Sequence, residues 1–162
     1  MAEHPLRQPM REWLPEFDFG VLHHGFAQHG RDYVLILQAM GIYELTLTHV
    51  VEHRYQTAVR DDLWSVSWDD SFTDGDAWQA AGMPDGFVWG ANSFAYPGIE
   101  APDNDPLAVQ WSARLGKPMF AMTLETGCFR MSIIFHSARV RKLSDDASAI
   151  RAVLNPLPAE RI

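Results

Sequence analysis

One cysteine, Cys128, stands in 162 residues. A lone thiol excludes an internal disulfide framework and any CxxC metal site, and it suits a reducing cytoplasm. Its expected role is a small strand residue rather than a nucleophile. Long apolar runs are also missing. The first twenty residues hold Arg7, Arg11, Pro5, Pro9 and Pro15 without the apolar core of a signal peptide, and no stretch approaches the ~20 apolar residues of a membrane span. The expectation is a soluble, cytoplasmic protein with no membrane partner. Basic residues are few: 13 Lys and Arg stand against 21 Asp and Glu, for a net charge of −8. The largest basic cluster, Arg139, Arg141 and Lys142, reads as a solvated strand edge. Phosphate contacts need clustered cations, so nucleic acid is not the expected partner. No GxSxG, phosphate-binding glycine loop or dinucleotide fingerprint is present.

The scarcity of cations is most marked between residues 61 and 105, which hold ten carboxylates and no Lys or Arg. Four of the six tryptophans share that stretch. With −10 inside it and −8 overall, the remainder sums to +2, so the acidity is concentrated. Trp64, Trp68, Trp78, Phe87, Trp89, Phe94 and Tyr96 are interspersed with carboxylates, glycines and prolines. Some of these rings belong to a core. Aromatic side chains rimmed by Asp also suit an interface for a basic partner, with acidity steering the encounter. An ordinary solvated loop with buried tryptophans is the competing reading.

At 47% apolar content, the chain is sized for one domain with a single core. Residues 1–16 are punctuated by proline and read as an N-terminal arm with one helical turn around Trp13. Residues 17–155 read as the domain and 156–162 as a C-terminal tail. Segments 34–38, 43–55, 87–94, 119–125 and 128–136 are rich in β-branched and aromatic residues and predict strands. In the last, Phe129, Met131, Ile133 and Phe135 alternate with Arg130, Ser132, Ile134 and His136. Thr126-Gly127 sits where a hairpin turn would pair it with Phe120, Met122 and Leu124. Asp105 as cap, Pro106 at the first turn, Leu107, Trp111 and Leu115 on one face, and Gly116 with Pro118 as stop predict a helix. A second helix is expected after Ser144, with Asp145 and Asp146 against its dipole, and a short one at 76–81. The expected class is α+β: a mainly antiparallel sheet covered on one side by two or three helices.

His49-Val50-Val51-Glu52-His53 fits the HxxEH pattern of inverted zinc proteases. That chemistry needs a helix, which brings both histidines to one face. The surrounding residues alternate and favour a strand, where positions four apart are separated by about 13 Å. His49 is then expected to pack along the sheet and His53 to lie near its solvent end. His23, His24 and His29 form a second group, and in an extended chain His23 and His24 face opposite ways. Convergence of His24, His49 and Glu52 with acidic-segment residues would make a metal-dependent or carboxylate-based hydrolase; backbone-bonded histidines are the commoner outcome. Aligning Asp70 and Asp74 to an EF-hand loop puts Gly75 at the turn, yet Phe72 and Ala81 fall where oxygen ligands belong. The calcium match fails, and no cofactor is expected.

Several motifs together carry a family likeness. His24-Gly25-Phe26 with Arg31-Asp32-Tyr33, Leu47-Thr48-His49 with Val51-Glu52 and Thr57-Ala58-Val59, and Asp85-Gly86-Phe87-Val88-Trp89-Gly90 leading to Tyr96-Pro97-Gly98 resemble the YxiG-like proteins of Gram-positive bacteria and actinomycetes. The likeness runs from about Phe17 to Leu143. It implies a small cytoplasmic protein of a kind found near secreted polymorphic toxin genes, similar to toxin-neutralising immunity proteins. It includes positions like His49 and Glu52 and does not require His53. The leading expectation is therefore a non-enzymatic acidic binding module whose partner is a basic protein such as a nuclease-type toxin. The expected contact residues are Asp61, Asp62, Trp64, Trp68, Asp69, Asp70, Asp74 and Asp76. An exposed strand edge also leaves room for a homo-oligomer.

Overall fold

The computed structural model describes residues 3–13, 19–58, 61, 75–82 and 93–144. Among them are α1 (Arg7–Trp13), β1 (Gly20–Ala27), a 3-10 turn (Gln28–Gly30), β2 (Asp32–Gln38), β3 (Ile42–Thr48) and β4 (Glu52–Thr57). There follow α2 (Gly75–Ala80), β5 (Ser93–Glu100), α3 (Pro106–Leu115), β6 (Phe120–Thr126), β7 (Phe129–Phe135) and β8 (Ser137–Ser144). No helix among the described residues is long and apolar enough to cross a membrane.

The strands form two four-stranded antiparallel sheets in the order β4-β7-β6-β5-β1-β2-β3-β8. They are joined in two places. One is a short pairing of Gly20 and Val21 with Phe94 and Ser93. The other is covalent, because β3 passes into β4 through residues 49–51 and β7 into β8 through His136. These form one bent antiparallel ribbon whose ladder continues through the bend: the Val51 N–H donates to Ile134 O at 2.9 Å and the His136 N–H to Thr48 O at 3.0 Å. Counting each bent strand once, the pairings close into a ring, and a closed ring leaves few unpaired strand edges.

The core lies inside that ring. On β7, Phe129, Met131, Ile133 and Phe135 face Leu35, Leu37, Leu45 and Leu47 of the other sheet, all of them buried. Each such side chain contributes about 1.5–3 kcal/mol on leaving water. On the opposite face of β6 and β7, Ala121 and Ile134 form a smaller cluster with Met119 and Ala108 under α3. α3 itself follows its sequence signals. Asp105 accepts from the Leu107 and Ala108 N–H groups, both at 2.9 Å, and Gly116 closes the helix at φ 64°.

Several expectations are corrected. The sheets bury their inner faces against each other, and the expected cover of two or three helices over one sheet face is not found among the described residues. The expected continuous strand over 43–55 is broken at His49, whose φ of 50° bends it, with its N–H donating to Asp32 Oδ1 at 3.1 Å. The β6–β7 turn occupies Gly127 and Cys128 rather than Thr126-Gly127. Thr126 Oγ1 accepts from the N–H groups of both Cys128 and Phe129, while Leu124 and Met122 pair with Met131 and Ile133 as expected. β1 is a strand where none was predicted, and β8 extends the solvated strand edge expected at Arg139, Arg141 and Lys142 over Ser137–Ser144. Of the strand expected at 87–94, residues 87–92 lie outside the described residues, as do the helix after Ser144 and the tail. The arm is not free: Leu6 is 1% exposed within the main core. His4 donates through Nε2 to Ala121 O and accepts the Leu6 N–H at Nδ1.

Truncating Leu6 to Ala is therefore expected to cost about 2–5 kcal/mol in denaturant unfolding, whereas Arg11→Ala on the exposed side changes stability by less than about 0.5 kcal/mol. Equal effects would mean the arm is not part of the core. At the bend, His49→Gly is expected to be more stable than His49→Ala by about 1 kcal/mol, because alanine pays the left-handed backbone cost and glycine does not.

Candidate functional site

A β-bulge decides which histidine of the His23-His24 pair enters the ring. β1 pairs Val21 with Leu37, and the register then shifts so that His24 faces Leu35 and Phe26 faces Tyr33. Directly opposed residues of an antiparallel pair share a face. The extra residue therefore turns His24 and Phe26 inward, while His23 is exposed. β4 adds His53 and Tyr55, opposite Ile133 and Met131 of the same inner face.

These side chains meet at one end of the ring. His24 Nδ1 lies 2.6 Å from the Tyr33 hydroxyl, and its ring stands 4.8 Å from Phe129 and 5.7 Å from Tyr55 between centroids. His53 stacks on the other part of Tyr33 at 4.7 Å and meets Phe26 edge-on. Phe26 and Tyr55 remain 53% and 51% exposed, so two large rings are presented to solvent over a buried layer of Tyr33 and Phe129. Burial holds the His24 imidazole below its ordinary value, and the neighbouring His23 and His53 rings further oppose its protonation. Burial alone does the same for His53, and its Nε2 is buried without a hydrogen-bond partner. The Tyr33 phenol is pushed up to about 12, again chiefly by burial. Two neutral imidazoles and two protonated phenols make a packing and hydrogen-bonding cluster rather than an acid–base pair.

The alternative set His24, His49 and Glu52 is not brought together. His49 sits at the bend, accepting from Arg31 and lying 5.8 Å from the His136 ring. Glu52 points to the opposite face from His53 and accepts the Trp111 indole N–H at 3.1 Å, tying α3 to β4. That hydrogen bond, with Arg54, keeps its carboxyl below the usual range. Among the described residues no group of three His, Cys, Asp or Glu side chains could hold a metal ion. Of the expected partner contacts, Asp61 and Asp76 are exposed, and Asp62, Trp64, Trp68, Asp69, Asp70 and Asp74 lie outside the described residues. Sequence reasoning missed Phe26, Tyr33 and Tyr55 as neighbours of His24. The motifs His24-Gly25-Phe26 and Arg31-Asp32-Tyr33 held the clue, since they flank one turn and pair across it.

The neutral histidines carry a pH dependence. Unfolded, they take up protons near about pH 6.5. His4, His24 and His53 are held below that value in the fold, so under acid the unfolded chain binds more protons. Stability is thus full above about pH 6.5 and declines as the pH drops toward the folded midpoints. Urea unfolding between about pH 7.5 and about pH 5.5 is expected to show this decline, with a shallower slope for His24→Gln. A flat profile would contradict the neutral assignment.

A search of curated proteins finds no match to the chain. The family model described as YxiG-like protein matches residues 2–153, which includes the arm, the whole bent ribbon and the histidine–tyrosine cluster. The chain belongs to the YxiG-like protein family.

Proposed function

We propose that the protein is a cytoplasmic, non-enzymatic binding module that captures a basic protein, in the manner of an immunity protein neutralising a nuclease-type toxin. The observation that carries the reading is the pair Phe26 on β1 and Tyr55 on β4, each half exposed above the buried rings of Tyr33 and Phe129. Large aromatic side chains with little freedom to lose make strong interface anchors. Tyr55 precedes Asp61 by six residues, which keeps the start of the acidic segment within about 20 Å of the anchors by chain length alone. The net −10 of residues 61–105 supplies long-range attraction toward a cationic surface, and a nuclease site is cationic because it holds phosphates.

Steering and anchoring act on different rates, and this makes the reading testable. With any basic protein found encoded beside this chain's gene as ligand, Asp69→Lys with Asp70→Lys is expected to slow association roughly tenfold at low salt and far less near physiological salt. Phe26→Ala and Tyr55→Ala are each expected to speed dissociation, weakening affinity by more than about 1 kcal/mol. Surface plasmon resonance separates the two. Unchanged rates in both sets, or no binding by the parent chain, would sink the proposal.

A further inference from the structure

The bend at His49 gathers donors and almost no acceptors. Arg31 Nη2 lies 2.5 Å from His49 Nε2. A guanidinium can only donate, so Nε2 is the acceptor and the proton of the neutral ring sits on Nδ1. That Nδ1–H is buried and has no hydrogen-bond partner. His136 is turned the same way: its Nδ1–H donates to Pro118 O at 2.7 Å, which leaves Nε2 to face outward. Lys117 follows the α3 cap and acts on the same ring, as do Arg31 and the neighbouring His136 imidazole, and after burial these three groups oppose a proton on His49 and hold its imidazole low. Asp32 is the one carboxylate among these neighbours. Its Oδ1 already accepts the His49 backbone N–H and lies 3.9 Å from Arg31 Nε.

An unsatisfied buried donor is costly, and a non-glycine residue held at positive φ adds to the cost. Both occur at one residue, His49, whose ring meets the fork of the Arg31 guanidinium and feels the charge of Lys117. A dianionic oxyanion suits the other edge of this group, where the Arg31 guanidinium meets His49 Nε2 and His136 turns its own Nε2 outward. It offers several acceptors, it matches the planar fork of Arg31 and the point charge of Lys117, and it favours protonation of both imidazoles.

We propose that Arg31, Lys117, His49 and His136 form a binding site for a phosphate dianion, free or as a simple monoester, at the bend between the two sheets. On binding, the anion takes the Arg31 guanidinium from His49 Nε2. His49 and His136 then each gain a proton at Nε2 and donate to the oxyanion, so anion uptake is coupled to proton uptake. Nothing in this site depends on the partner-binding surface.

Imidazole NMR of the full chain, titrated with sodium phosphate against sodium chloride at constant ionic strength, tests the site. The expected result is a saturable chemical-shift change confined to His49 and His136, with both rings driven toward the protonated form and His24 and His53 unmoved. Arg31→Gln is expected to weaken binding at least about tenfold, the effect of losing charge-assisted hydrogen bonds. Lys117→Gln, which removes charge without touching the hydrogen bonds of the bend, is expected to weaken it about threefold or more, guarding against misreading a disturbed bend in the Arg31 variant. Glycerol phosphate serves as the monoester arm: binding equal to phosphate means only the phosphoryl group is read, and tighter binding means the ester substituent is read as well. Equal drift of all histidines, no saturation, or unchanged affinity in both variants would overturn the proposal.

Discussion

The fold depends on one continuous ladder that changes sheets without breaking. The bent ribbon of β3 with β4 and β7 with β8 keeps its hydrogen bonds through the bend, at Val51 to Ile134 and His136 to Thr48. Buried backbone groups left unpaired there would each cost about 1–3 kcal/mol. Preserving the ladder requires one residue to turn sharply, and His49 takes a left-handed conformation to do so. The same turn sorts the residues after it. His53 and Tyr55 turn to the inner face, Tyr55 half exposed at its rim, while Glu52 and Arg54 face α3 and solvent. The bend therefore builds the His49 cluster and supplies His53 and Tyr55 to the other, whose His24 and Phe26 the β1 bulge turns inward.

What could be read from the sequence and what could not divides along the range of the interactions. α3 was legible because its cap, its first-turn proline and its terminating glycine act within a few residues of one another. The β6–β7 hairpin was legible because Phe120, Met122 and Leu124 alternate in step with their partners. β8 was legible only as a solvated strand edge at Arg139, Arg141 and Lys142, since its extent is set by pairing with β3, about ninety residues earlier. The bend was hidden for the same reason: residues 43–55 alternate as a strand should, and only the partner Asp32 and the distant His136 reveal where they turn. On the site, the sequence identified the histidines yet not their companions. A one-residue bulge reverses the inward set on β1, and alternation from Val21 would have placed His23 and Gly25 inside.

The HxxEH match illustrates how context overrides spacing. On a helix, His49 and His53 would share a metal. On a bent ribbon, His49 joins Arg31 and His136 while His53 stacks on Tyr33, and the intervening Glu52 becomes a tether for Trp111. Identical residues at identical spacing thus take three unrelated roles, each set by which face of the strand they occupy.

Charge distribution follows a similar logic. A net charge of −8 argues against broad polyanion binding, because such binding integrates charge over a large surface. It has little bearing on a single small anion. In physiological salt the potential of remote carboxylates is screened over about 8 Å, whereas groups in contact act almost unscreened. At the bend, the ring of His49 feels Arg31, Lys117 and His136 against Asp32 alone. An acidic protein can accordingly present an acidic segment to a basic partner and still hold a donor-rich corner elsewhere. The two are independent because the acidity is concentrated in residues 61–105, leaving the rest of the chain slightly positive at +2.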